Sequence, residues 1–204
     1  MKDFWNERYN RQEFIYGEDP NEYLKEKLKA ISPAKILFPC EGEGRNAVYA
    51  AKLGWVVTSF DQSEEGKKKA DLLAQKNDAL IDYSVLDMEH ISYPEQSFDT
   101  LALIYAHFHT DKRKKYHQTL ASYLKKNGVL IIEAFSKNQI ENQQLNPNAG
   151  GPKNKAMLYD LEEIKADFDD FDFLEAYEST VELNEGKHHK GKASVIRIFA
   201  LKKT

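Results

Sequence analysis

The sequence predicts an α/β fold: a doubly wound, mostly parallel sheet of seven strands, finished by an antiparallel hairpin at the C-terminal end. Three observations predict it. From residue 35 to residue 135, short apolar runs alternate with amphipathic stretches of helical period, the pattern of a parallel sheet covered on both faces. A glycine-containing loop, Pro39-Cys40-Glu41-Gly42-Glu43-Gly44, joins the first apolar run to the helical stretch after it. Near the end, two long alternating runs, 173–183 and 193–201, follow one another without a helix, which requires an antiparallel pair.

The elements follow in order. The first sixteen residues hold Phe4, Trp5, Tyr9, Phe14 and Tyr16, aromatics that must cover some surface. Asp19-Pro20-Asn21-Glu22 predicts a helix start with Asp19 as cap, proline at the first helical position and glutamate three residues after the cap. Leu24, Leu28 and Ile31 share its inner face, and Pro33 closes it. Residues 36–38 form the first strand, 47–53 a helix stopped by Gly54, and 55–60 the second strand. Ser63 opens a helix through Ala70, Leu72 and Leu73. Ile81, Tyr83 and Val85 alternate as the third strand, ending in Leu86-Asp87-Met88, and 98–105 is an apolar run of the kind buried on both faces. Thr110 or Asp111 begins a helix with Tyr116, Leu120, Tyr123 and Leu124 inward, ended by Gly128 before the fifth strand, 129–135. Residues 136–156, rich in Asn, Gln and Lys with a Gly150-Gly151-Pro152 turn, read as a long loop. Asp160 and Glu163 cap a last helix reaching residue 168, and 184–192, with His188 and His189, is the hairpin loop.

A chain of 204 residues, 41% apolar and 30% charged, is long enough to bury a full α/β core. One domain, 1–204, is expected, with an N-terminal lid and helix (1–32), a cofactor-binding core (33–135) and a substrate-side part (136–204). The net charge of −4 gives no general attraction to nucleic acid or anionic membranes. No stretch approaches the about 20 apolar residues of a membrane span. The lone Cys40 excludes an intrachain disulfide and a multi-cysteine zinc site, and Met1-Lys2-Asp3-Phe4 lacks the apolar run of a signal peptide. The expectation is a cytoplasmic monomer or small homo-oligomer that binds neither nucleic acid nor membrane.

Gly42-Glu43-Gly44-Arg45-Asn46-Ala47 fits the G-x-G-x-x-G/A nucleotide pattern, and Asp61 ends the second strand seventeen residues after Gly44. The glycines let the backbone approach a ligand, the helix beginning near Arg45 aims free N–H groups at it, and Asp61 can accept both hydroxyl hydrogens of a ribose. The antiparallel ending departs from the six-stranded dinucleotide fold, and the length leaves little room for a further substrate domain, so one nucleoside is favoured over two. An NAD(P)-dependent oxidoreductase and a non-catalytic nucleoside-binding module stay open as alternatives.

Seven pieces, in order, carry a resemblance: Phe4-Trp5-Asn6-Glu7-Arg8-Tyr9, Tyr16-Gly17-Glu18-Asp19-Pro20-Asn21, Gly42 to Ala47, Asp61-Gln62-Ser63, Leu86-Asp87-Met88, Leu124-Lys125-Lys126-Asn127-Gly128 and Gly150-Gly151-Pro152. With them the chain resembles a class I S-adenosylmethionine-dependent methyltransferase, similar to small tellurite-resistance and thiopurine-type methyltransferases. The resemblance implies S-adenosylmethionine as cofactor and a small-molecule methyl acceptor: a thiol, a chalcogen oxyanion, or a hydroxyl or amine metabolite. It implies that Tyr16, Gly42, Gly44, Arg45, Asn46, Asp61, Gln62, Asp87 and Met88 bind the cofactor, with Asp87 at the adenine amino group, Met88 on the ring, and Trp5 and Tyr16 as lid aromatics. Phe38 stands where the family has an acid, Cys40 where it has its first glycine, and Asn127 where it often has another glycine. His107 and His109, just past the fourth strand at the ligand-binding edge of the sheet, are the candidate acid–base or substrate-contacting groups. They lack a third metal ligand at fixed spacing, so no metal site is expected. His188, His189, Tyr105 and Glu133 are weaker candidates, and Cys40 reads as a packing residue.

Overall fold

The structure, a computed structural model, describes residues 2–204. Its seven strands are β1 (Lys35–Pro39), β2 (Val56–Asp61), β3 (Asp82–Val85), β4 (Phe98–Ile104), β5 (Leu124–Phe135), β6 (Phe171–Glu185) and β7 (His189–Lys202). They form one sheet in the order β3-β2-β1-β4-β5-β7-β6. The first five are parallel; β7 runs antiparallel between β5 and β6, with Phe135 opposite Val195. The helices are α1 (Lys2–Tyr9), α2 (Glu22–Ala30), α3 (Arg45–Lys52), α4 (Glu64–Lys76), α5 (Thr110–Ser122), α6 (Gln139–Leu145) and α7 (Leu161–Asp167). Among the described residues no helix is long and apolar enough to cross a membrane.

Alternation along the strands divides the core in two. Leu37, Leu101, Leu103, Leu130 and Ile132 pack with Tyr116 and Leu120 of α5 and Ile164 of α7. Ile36, Phe38, Ala102, Ile104 and Ile131 pack on the other side with Tyr23, Leu24 and Leu28 of α2 and Ala47 and Ala50 of α3. Successive side chains of a strand point to opposite faces, so continuous apolar runs are what a doubly covered sheet requires. The same alternation explains Phe38: it is fully buried under α2 and α3, in a place where a carboxylate would have no water.

Four local expectations differ. The cap of α2 is Asn21, whose Oδ1 accepts from the Leu24 N–H at 3.0 Å, and Asp19 and Pro20 precede the helix. Asn21 also takes a bond from its own N–H to Asn46 and donates to Glu133, so tertiary partners fix the start. Helix α5 ends at Ser122, and β5 begins at Leu124 through a register shift. There Asn127 takes φ +61°, and a Cβ on Gly128 would lie 2.7 Å from Leu124 Cγ, so it is this irregular start of β5 that needs the glycine. The 136–156 segment contains α6 and a short 3-10 turn, Lys155–Met157. It is organised by amides: Gln139 donates to Ala149 and Gly150 carbonyls, and Gln143 to those of Gly150, Gly151 and Pro152. Polar groups turned inward leave no apolar period to read. Finally, the hairpin is longer than expected, pairing out to Glu185 and His189, so His189 belongs to a strand.

Candidate functional site

The glycine loop leaves β1 and enters α3. Cys40 takes φ +56°, the left-handed geometry that a glycine gives freely, and Gly42 and Gly44 take +61° and +85°. The two glycines face different neighbours. A Cβ on Gly42 would come 2.6 Å from the Tyr9 hydroxyl, and one on Gly44 2.5 Å from Ala70 Cβ. Gly44 therefore lets α3 approach α4, and Gly42 faces the N-terminal segment. The Tyr83 hydroxyl donates to the Gly42 carbonyl at 2.6 Å and holds the loop to β3.

A carboxylate is present in this loop although Phe38 is not one. Glu41 is buried, and its Oε1 accepts from the backbone N–H groups of Asn46 and Ala47, both at 2.8 Å. It occupies the free end of α3 and satisfies two of its unpaired donors. Burial pushes its pKa up to about 7, against the lowering effect of those bonds and of Arg45. The signal for it in the sequence was an acid followed within six residues by a helix start.

Asp61 ends β2, buried, with Oδ2 accepting from Gly42 N at 3.2 Å and Oδ1 from Ser63 N at 2.8 Å. It ties the glycine loop to the start of α4, where Ser63 is the cap, accepting from Gly66 N. Burial raises its pKa to about 6 despite these bonds. Each carboxylate oxygen has a second lone pair, so acceptor capacity remains. Asp87 lies two residues past β3, exposed, and Met88 is half-buried against the core. The Leu86 N–H donates to the Asp61 carbonyl at 2.9 Å, joining the ends of β2 and β3. The half-buried Cys40 thiol is pushed up by desolvation and further by the charges of Asp61, Asp87 and Glu41. Gln62 is half-buried beside Asp61.

Arg45 and Asn46 turn away from this cradle. Arg45 pairs with Glu185 at 2.8 Å and donates to the carbonyls of Tyr16 and Asp19, while Asn46 Oδ1 accepts from Asn21 N at 2.9 Å. Glu43 accepts from Ile15 N and Tyr16 N and pairs with Lys69 at 2.7 Å. Glu43, Arg45 and Asn46 thus fasten residues 15–21 across the sheet edge. Trp5 stacks on Tyr9, whose hydroxyl lies against Gly42 and whose pKa is raised by burial first and by Asp61 next.

The predicted histidines fare differently. His107 Nδ1 contacts the Met157 carbonyl at 2.7 Å and Nε2 accepts from Phe135 N at 3.1 Å. Both nitrogens are used by backbone, and burial lowers its pKa to about 4, so it stays neutral and holds the 136–157 segment to the end of β5. His109 is the exposed cap position of α5, with Nδ1 2.5 Å from Asp111. Neither is placed to take a proton at the sheet edge, because both ring nitrogens of one are engaged by backbone and the other is exposed.

His189, a weaker expectation, is where the segments meet. It is buried, with Nδ1 3.2 Å from Glu185 Oε2 and no partner for Nε2 among the described residues. Its ring lies 4.5 Å from those of Tyr16 and Tyr105 and 5.2 Å from that of Phe135. A Cβ on Gly150 would come 2.7 Å from His189 Cδ2, which brings in the 136–156 segment. Beneath lies a closed polar network: Glu133 accepts from Tyr105 Oη at 2.7 Å, Asn21 Nδ2 at 2.6 Å and Arg197 Nε at 2.5 Å, and Asn21 reaches Glu185. A separate open groove of about 560 Å³, lined by Glu22, Lys25, Glu26, Lys29 and Arg197, meets this network at Arg197.

Residues 40–132 match the model of a methyltransferase domain. The strand order and the antiparallel ending give the chain a Rossmann-like methyltransferase fold. TehB of Haemophilus influenzae, described as a probable S-adenosyl-L-methionine-dependent methyltransferase, is 24% identical over 191 residues, 90% of this chain and 60% of the relative. The chain thus spans about 60% of the length of that curated relative. The TehB crystal structure superposes with a TM-score of 0.71 at 21% identity, over 99% of this chain and 67% of the other. A structure concerned with conversion of a disulfide bond into a thioacetal group during echinomycin biosynthesis gives 0.79 at 17% identity, over 100% and 92%. Magnesium protoporphyrin IX methyltransferase (ChlM) from Synechocystis PCC 6803, with S-adenosylhomocysteine bound, gives 0.72 at 14%, over 99% and 97%. Cys40, Asp61 and Asp87 lie within the matched segment, and His189 lies outside it.

Proposed function

We propose that the chain is an S-adenosylmethionine-dependent methyltransferase acting in the cytoplasm on a small-molecule acceptor. The observation that carries this reading is Asp61 at the end of β2, bonded to the Gly42 N–H of the glycine loop, with Asp87 two residues past the neighbouring β3, whose end is joined to Asp61 through the Leu86 N–H. The residues fit a nucleoside: Asp61 for the ribose hydroxyls, Asp87 with Met88 for the adenine, Gln62 beside them, and Gly42 with Tyr9 and Tyr16 along the rest. Gly44 serves the fit through the packing of α3. Arg45 and Asn46 act as fasteners of the lid in place of direct contact. When bound, the cofactor supplies a methyl group already activated by a sulfonium, so the protein's work is alignment, with a base where the acceptor must lose a proton.

That base is His189. Burial lowers its pKa, only partly offset by Glu185, so Nε2 is a free acceptor at neutral pH while Glu185 orients the ring through Nδ1. The closure of Tyr16, Gly150 and the hairpin turn around it excludes water from the acceptor side. Thiol, chalcogen oxyanion and hydroxyl or amine acceptors fit this chemistry.

Calorimetric titration with S-adenosylhomocysteine, S-adenosylmethionine and NADPH tests the reading. S-adenosylhomocysteine is expected to bind, and Asp61→Asn to weaken it by about 1 to 3 kcal/mol. Binding of NADPH alone would favour an oxidoreductase. Cofactor binding without turnover across a broad acceptor panel would favour a non-catalytic nucleoside-binding module.

A further inference from the structure

Of the arginines in the chain, Arg45, Arg113 and Arg197 end on carboxylates: Glu185, Glu163 with Asp167, and Glu133. Arg8 and Arg11 have no carboxylate partner among the described residues, and both stand on the N-terminal segment that closes on the hairpin. Arg8 is half-buried. Its Cζ lies 4.5 Å over the Phe4 ring and 5.3 Å from that of Trp5, and its NH1 donates to Tyr16 Oη at 2.9 Å. The guanidinium is thus held between the aromatic rings and the Tyr16 hydroxyl, with most of its donors unspent. A half-buried guanidinium normally ends on an acid, and a fixed fork of donors matches two oxygens of a carboxylate or phosphate.

The hairpin brings more positive charge to the same corner. Lys187 N donates to the Ile15 carbonyl at 2.8 Å, which fixes the turn bearing Lys187 and His188 beside Tyr16. His188 is half-buried with no hydrogen-bond partner among the described residues; burial lowers its pKa, and Arg8, Arg11 and Lys187 lower it further. Of the acids on these segments, Glu43 is paired with Lys69, Glu185 with Arg45, and Glu13 with Lys187 at 3.5 Å. Arg8 and Arg11 thus stand without a carboxylate partner among the described residues at the seam of lid and hairpin.

We propose that Arg8, with Arg11 and His188, binds an anionic group, a carboxylate or phosphate, on the methyl acceptor. Tyr16 links the two ends of such a molecule, since its hydroxyl meets Arg8 while its ring meets His189. The anion is anchored at the rim and the reacting atom reaches His189. The assignment of that anion to an acceptor rests on the methyltransferase reading; the anion site itself does not.

The test titrates the full chain, saturated with S-adenosylhomocysteine, with benzoate, inorganic phosphate and benzyl alcohol, by calorimetry and by NMR of the His188 and Tyr16 resonances. Benzoate or phosphate is expected to bind at millimolar concentration and shift both resonances, with benzyl alcohol failing to do so. Preference between the two anions tells which group the acceptor carries. Arg8→Gln is expected to weaken anion binding about 10-fold, and Tyr16→Phe, which removes only the hydroxyl that aims Arg8, about 3-fold. S-adenosylhomocysteine affinity in Arg8→Gln should stay within about twofold of the original. No anion binding, or anion binding indifferent to Arg8→Gln, overturns the proposal. So does loss of S-adenosylhomocysteine affinity in Arg8→Gln, which would assign Arg8 to the cofactor. Anion binding in a protein that takes no S-adenosylhomocysteine would uphold the site and sink the methyltransferase reading instead.

Discussion

Arg45, at the first turn of α3, is paired with Glu185, at the end of β6, at 2.8 Å, and both side chains are almost entirely buried. Burial pushes the Glu185 pKa up, but Arg45 and His189 outweigh it and hold the carboxyl at about 2. The pair ties the cofactor loop to the hairpin. Arg45→Met leaves Glu185 buried without its cation and is expected to cost about 3 to 5 kcal/mol in urea denaturation. The double variant Arg45→Met/Glu185→Leu should recover much of that loss; equal losses in single and double variants would mean that packing, not charge, holds the seam.

The two glycines that flank α3 separate backbone strain from close packing. Gly54 takes φ +90° with nothing near a built Cβ, whereas Gly44 takes +85° with Ala70 Cβ at 2.5 Å and Ala70 Cα at 2.8 Å. Gly54→Ala is expected to cost about 1 to 2 kcal/mol from left-handed geometry alone. Gly44→Ala should cost at least about 2 kcal/mol more, since the overlap must push α3 and α4 apart. Thermal or urea melts of the two variants check this, and similar costs would mean the helices can separate freely.

Glu41 gives a pH signature. Its folded pKa, about 7, lies above the ordinary 4.5, so the folded state holds a proton that the unfolded chain releases between these values. The stabilisation from this group is full below the unfolded pKa and is lost as pH rises through the folded one. Glu41→Gln keeps an oxygen for Asn46 and Ala47 N–H and has nothing to titrate. Its stability relative to the original protein should therefore improve by roughly 1 to 3 kcal/mol between pH 4.5 and 7. A difference that stays flat across that range would show that Glu41 titrates normally.

His189 and His107 are distinguished by their pH behaviour and variants. His189→Gln is expected to lower kcat by about 10²- to 10⁴-fold on an acceptor that must lose a proton, with S-adenosylhomocysteine affinity kept. Activity of the original enzyme should fall in acid, with a midpoint below the ordinary 6.5, because burial depresses His189. His107 should show no titration in NMR spectra above about pH 5, since its pKa is lowered to about 4. An acid limb that survives His189→Gln would point to another base.

The sequence by itself determined the sheet, its double winding, the glycine loop, Asp61 and Asp87, and the antiparallel ending. Apolar period and turn residues are local signals, and the strands and the helices covering the sheet obey them, unlike the amide-built 136–156 segment. What Arg45, Asn46 and Glu43 do was decided only by tertiary structure, because their partners lie 25 to 140 residues away in the chain. The same holds for the histidines. His107 and His189 carry identical side chains, and only the fold gives one two backbone partners and the other a carboxylate with a free nitrogen. Glu41 was hidden for a related reason: a glutamate in a loop reads as a solvated charge until the helix end it caps closes over it. Partners that meet only when the sheet is assembled leave no periodic trace in the sequence, and the chemistry of this protein is built from such partners.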